Sequence, residues 1–140
     1  MVTSGSDAYL QTAILTAPPE KLQLMLYEGA IRFAGQARER IRERNFEASC
    51  ELLVRAQSIV LELLCGLRPE LNASLCGRLA SVYTFVYRRL VDANVSRDMT
   101  AVDDAIKILT VQRDIWLELL DKLAKERAEE EPASKVAAGA

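Results

Sequence analysis

The chain's 140 residues give one domain with room for a sizeable core. Six glycines and four prolines are too few for the turns of a many-stranded β fold. A net charge of −2 with interspersed signs lacks the basic excess that a nucleic-acid binder needs to displace counterions, and no apolar run reaches the roughly 18 residues of a membrane-spanning helix.

Residues 1–16 read as a separate arm. The first seven lack the basic and apolar regions of a secretion signal, so a cytoplasmic location is expected. Tyr9, Leu10, Ile14 and Leu15 are apolar in a segment too short to fold alone. The domain proper is placed at 17–124, as four helices near 19–44, 46–65, 73–94 and 101–124. Pro18 and Pro19 suit the first turn of the first helix, where an amide hydrogen has no partner. Asn45 and Asn72 are placed to cap the second and third, and Gly66 to end the second. Thr100 starts the fourth, with Asp103 and Asp104 read as charge at its positive end. Beyond Lys125 the apolar rhythm fades, and 125–140 is expected to be a disordered tail. The fold class is all-α: an antiparallel four-helix bundle with an apolar N-terminal arm.

In the first helix, Leu22, Leu26, Phe33, Ala37 and Ile41 form the expected core stripe. Leu24, Tyr27 and Ile31 fall on nearly the opposite side at about 100° per residue. The second helix offers Phe46, Cys50, Leu53, Val60, Leu61 and Leu64, widened by Leu52, Ala56, Ile59 and Leu63. The third offers Leu75, Leu79, Val82, Val86 and Leu90, flanked by Cys76, Ala80, Tyr83, Tyr87 and Val91. The fourth offers Val102, Ile106, Leu109, Trp116, Leu120 and Leu123, flanked by Ile108, Ile115 and Leu119, and Trp116 is expected to be substantially buried. Two neighbours per helix explain much of the widening. The opposed Leu24, Tyr27 and Ile31 need other cover, either the arm or a partner, because exposed apolar patches mark binding surfaces. The candidate partner-binding residues are therefore Leu24, Tyr27, Ile31, Ile59, Leu63, Tyr83 and Tyr87, with Tyr9, Leu10 and Ile14 as a lid.

Chemistry is sparse. The chain has no histidine, which removes the commonest metal ligand and the usual general base. It has no glycine-rich phosphate loop, and its three cysteines, Cys50, Cys65 and Cys76, include no CxxC and read as buried thiols. In the basic stretch Arg38–Arg44, Glu39–Arg42 and Arg40–Glu43 sit three apart and read as ion pairs on a solvated face. Arg113, on the core side by spacing, reads as a snorkelling or hydrogen-bonded arginine. Neither an enzyme nor a cofactor is expected.

In order and spacing, several segments resemble the flagellar secretion chaperone family, FliS. They are Tyr9; Thr16-Ala17-Pro18-Pro19-Glu20-Lys21-Leu22; Leu24-Met25-Leu26-Tyr27-Glu28-Gly29-Ala30; Ala56-Gln57-Ser58-Ile59; Glu62-Leu63; Tyr83 through Asn94; and Trp116. Pro18 stands where the family usually has Ser or Thr, and Thr12 where asparagine is common. The resemblance implies a cytoplasmic export chaperone, monomeric or weakly dimeric. It would bind the C-terminal segment of flagellin, prevent premature polymerisation and present flagellin to the export apparatus. It also implies that the arm covers part of the groove when flagellin is absent. The competing reading is a self-associating helical adaptor whose surplus apolar faces form a dimer interface.

Overall fold

The structure, a computed structural model, describes residues 19–139, with side chains over 19–130. The arm, with Tyr9, Leu10 and Ile14, lies outside the described residues. Among those described there are four α-helices and no strand: α1 Pro19–Arg42, α2 Phe46–Cys65, α3 Ala73–Ser96 and α4 Met99–Gly139. Each packs on its chain neighbours and α1 closes on α4, so the helices form a four-membered ring. Arg38 near the end of α1 pairs with Asp103 near the start of α4, Cys50 near the start of α2 meets Asn94 near the end of α3, and Arg89 of α3 pairs with Asp104 of α4. Adjacent helices are therefore antiparallel.

The boundaries follow local chemistry. Asn45 Oδ1 accepts the Ala48 amide at 3.3 Å and Asn72 Oδ1 the Leu75 amide at 3.1 Å, so both predicted caps form. The cap of α4 is Asp98, whose Oδ1 accepts the Thr100 amide at 2.9 Å. Asp103 and Asp104 brace α4 against its two neighbours rather than capping it. α4 also runs on to Gly139, past the end near 124 marked by the apolar rhythm. The extension needs no core: residues 125–130 are strong helix formers, Lys125 pairs with Asp121 one turn back, and Arg127 reaches Glu20 of α1.

The core seam keeps Phe33, Ala37 and Ile41, Leu53 and Val60, Val86 and Leu90, and Val102 and Leu109 from the expected stripes, and departs from the rest of them. In α1 it is Tyr27, Ala30, Phe33, Ala34, Ala37 and Ile41, and in α2 Ser49, Leu53, Ala56, Ile59, Val60 and Leu63. Alanines and a serine occupy the seam because small side chains let helices approach closely. Leu22 and Leu26 are half-buried, while Leu61 and Leu75, both expected in the core, are exposed at 42% and 48%. The thiols are not buried either: Cys50 and Cys65 are exposed and Cys76 half-buried. Cys50 sits one residue beyond the seam position Ser49, and Cys65 is the last residue of its helix. Trp116 is half-buried and packs against the core, with its Nε1 donating to the Glu20 carbonyl at 2.8 Å.

The core is thickest where α1 and α3 end. There Ala101, Val102, Ala105 and Leu109 of α4 are fully buried. Toward the other end, α4 has no buried residue after Leu109 among those described, and the first turns of α3 are largely exposed.

Candidate functional site

Heptad arithmetic from the inter-helix contacts assigns each apolar residue to a seam, because positions three, four and seven apart share a helix face. On the α1–α4 seam, Leu24, Ile31 and Arg38 are successive sevens, as are Asp103, Thr110 and Leu117. Arg38 Nε to Asp103 Oδ1 at 2.5 Å sets them against each other. The same hydrogen bond raises the Arg38 pKa. On the α2–α3 seam, Cys50, Val54, Gln57 and Leu61 oppose Asn94, Val91, Tyr87 and Thr84, with Asn94 at 3.5 Å from Cys50. The Gln57 Oε1 is buried without a hydrogen-bond partner on this seam.

On the α3–α4 seam, Leu75, Val82, Phe85 and Arg89 oppose Asp104, Ile108, Val111, Ile115 and Leu119. Arg89 bridges Asp104 at 2.9 Å and Asp92 at 3.1 Å, and both carboxylates raise its pKa, Asp104 more. Five of the exposed large apolar residues among those described lie along this seam. Leu75, Phe85, Val111, Ile115 and Leu119 are each between 43% and 56% exposed. Phe85 also borders a shallow depression of about 360 Å³ with Ala80 and Thr84. An exposed row of this length is what a binding surface presents.

The seven candidate residues do not form one surface. Tyr27, Ile59, Leu63 and Tyr83 are buried, at 3%, 8%, 2% and 0% exposure, and belong to the core. Leu24 and Ile31 are half-buried on the α1–α4 seam and Tyr87 on the α2–α3 seam. A helix in a four-membered ring has one neighbour on each flank and a third across the diagonal. Leu26 and Phe33 are placed toward α2, Leu24 and Ile31 toward α4, and Tyr27 inward between them, so apparently opposite faces are both bundle seams. The exposed row was within reach of sequence reasoning for Ile115 and Leu119. Phe85 and Val111 were missed because each sits on the flank of a stripe that reads as complete without it.

Other polar groups stabilise the frame. Arg113 hydrogen-bonds Asp114 at 3.1 Å, and the Glu39–Arg42 and Arg40–Glu43 pairs form as spaced. The Arg127 hydrogen bond holds the Glu20 carboxyl below the usual carboxylate range. No helix among the described residues is long and apolar enough to cross a membrane.

A ring of four helices with an apolar seam left open has clear counterparts. The sequence profile of the family described as flagellar protein FliS matches residues 2–123. The chain belongs to the FliS family. Among its FliS relatives, the flagellar secretion chaperone FliS of Bacillus subtilis (strain 168) is 34% identical over 120 residues, covering 86% of this chain and 89% of the relative. The flagellar secretion chaperone FliS of Salmonella typhimurium is 29% identical over 124 residues, covering 85% and 92%. A solved structure described as a crystal structure of a flagellar chaperone from bacteria shares the fold. Its TM-score is 0.70 at 23% identity, over 84% of this chain and 95% of that one. FliS proteins are chaperones, not enzymes, and membership supports an export-chaperone role for this chain.

Proposed function

We propose that this chain binds the C-terminal segment of flagellin in the cytoplasm, keeps it from polymerising prematurely and presents it to the flagellar export apparatus. The observation that carries the reading is the exposed row Leu75, Phe85, Val111, Ile115 and Leu119 along the α3–α4 seam, in a chain of the FliS family. A segment that is unstructured when free pays ordering entropy on binding, so its chaperone needs a long apolar track to compensate. The half-buried Leu24, Ile31 and Tyr87 extend that track around the bundle. The arm of residues 1–16, with Tyr9, Leu10 and Ile14, acts as a replaceable cover. α1 itself begins beside a dent of about 270 Å³ lined by Glu20, Leu120, Leu123 and Ala124.

Titrating a flagellin C-terminal peptide into the full chain by calorimetry tests the proposal. The expected result is one peptide per chain with a negative heat-capacity change from apolar burial. No binding, together with a dimer that persists on dilution in light scattering, supports the homodimer reading of the same surface instead.

A further inference from the structure

The turns α1–α2 and α3–α4 come together at the thick end of the bundle, away from the open stretch of the α3–α4 seam. They enclose a bowl of about 760 Å³. Its floor is apolar: Ile41 is buried, and Phe46 and Met99 pack against the core. Its rim carries Arg42, Arg44 and Arg97. The Arg97 guanidinium lies 4.0 Å from the Phe46 ring centroid and that of Arg44 lies 5.7 Å from it, so one aromatic ring holds two cations. Arg42 is paired with Glu39. Among the described residues, neither Arg44 nor Arg97 has a carboxylate partner. Asp98, the acidic residue of the bowl, points one carboxylate oxygen at the Thr100 amide.

Two features set this end apart. Arg44 and Arg97 have φ of 62° and 53° and are the two non-glycine residues with positive φ among those described. Glycine would take both positions without steric cost, yet both turns place a guanidinium on the same ring. Two exposed cations over one ring repel each other only weakly through water, and an anion placed between them gains from both. α2 and α4 also begin here, and their N-termini add positive potential to the same bowl.

We propose that this bowl docks an acidic peptide segment of a partner protein, with carboxylates flanking one or two apolar side chains. The carboxylates pair with Arg44 and Arg97, whose guanidinium groups lie over Phe46 and have no carboxylate partner among the described residues. The apolar side chains sit over Ile41, Phe46 and Met99. A small anion fits less well, because the bowl is shallow and its floor is hydrocarbon. RNA fits less well, because Phe46, the one aromatic ring lining the bowl, already holds two guanidinium groups and leaves no platform on which successive bases could stack. The proposal is independent of flagellin binding on the α3–α4 seam.

The test uses the full chain and a fluorescein-labelled peptide, Glu-Glu-Leu-Phe-Glu-Glu, with Gln-Gln-Leu-Phe-Gln-Gln as its neutral match. Fluorescence polarisation should show the acidic peptide binding at least tenfold more tightly than the neutral one, with affinity falling as salt rises. The double variant Arg44→Met/Arg97→Met keeps an apolar cover on Phe46 and should lose the acidic peptide by tenfold or more with an unchanged helical spectrum. Arg44→Gln/Arg97→Gln provides the same reading if the methionine variant misfolds. Arg78→Met, on the first turns of α3, should bind as the parent does. Equal affinity for the two peptides, or full affinity in both double variants, overturns the proposal. So does binding of inorganic phosphate or single-stranded RNA without binding of the acidic peptide.

Discussion

The hydroxyls of Tyr27 and Tyr83 meet at 2.6 Å across the diagonal of the ring, joining α1 to α3 through the apolar core. Their rings lie 6.4 Å apart, and Gln23 Nε2 donates to both hydroxyls, at 3.0 and 3.3 Å. A buried hydroxyl without a partner costs about 1–3 kcal/mol, so each of these groups needs the others. Tyr83→Phe should lower stability in urea by about 1–2 kcal/mol, by weakening the partnership of Tyr27. Tyr27→Phe/Tyr83→Phe should cost less than the sum of the single variants, because it removes both ends of one contact.

The same pair sets an alkaline limit. Burial, and next the hydrogen bond with Tyr27, push the Tyr83 pKa far above the ordinary tyrosine range. The folded state therefore keeps its proton at pH values where the unfolded chain loses it, near pH 10. Stability contributed by neutral Tyr83 is complete below that pH. It falls by about 1.4 kcal/mol per pH unit above it. Chemical denaturation between pH 9 and 11 should show Tyr83→Phe losing less stability with pH than the parent chain. Parallel loss in both proteins would remove Tyr83 as the cause.

Core and seam should separate cleanly in melting experiments. Leu53 and Leu90 are fully buried, and alanine at either position should cost about 2–5 kcal/mol. Val111 and Ile115 are half exposed, and alanine there should change stability by no more than about 0.5 kcal/mol.

Trp116 ties the start of α1 to the thin half of α4. Trp116→Phe keeps most of the packing but removes the donor to the Glu20 carbonyl, and should cost about 0.5–1.5 kcal/mol. Its clearest sign should be faster amide exchange in the first turns of α1 than in α2. Unchanged exchange there would mean that the indole is held by packing alone.

Periodicity, caps and a scarcity of turn residues made the four helices legible, and Asn45 and Asn72 cap where expected. The core register was less legible because Ala30, Ala34 and Ser49 carry little hydrophobic signal, although the helices meet through them. Counting large side chains placed Cys50 and Leu61 inside and Tyr27 and Tyr83 at the surface, and packing reversed all four assignments. Two tyrosines can be buried because each supplies the other's hydrogen bond over 56 residues of sequence, a pairing that no local pattern records. The exposed apolar row was half visible because it combines α3 and α4, whose facing is set by a tertiary ion pair, Arg89 to Asp104.

The most direct measurement is the affinity of a flagellin C-terminal peptide for alanine variants of the α3–α4 seam. Phe85→Ala and Ile115→Ala should melt close to the parent and bind the peptide more weakly by about 1–2 kcal/mol each, roughly five- to thirtyfold. Ser58→Ala, exposed on α2 with its hydroxyl turned back to the Val54 carbonyl, should bind as the parent does. Undiminished binding by both seam variants, in folded protein, would contradict the placement of the partner on α3 and α4.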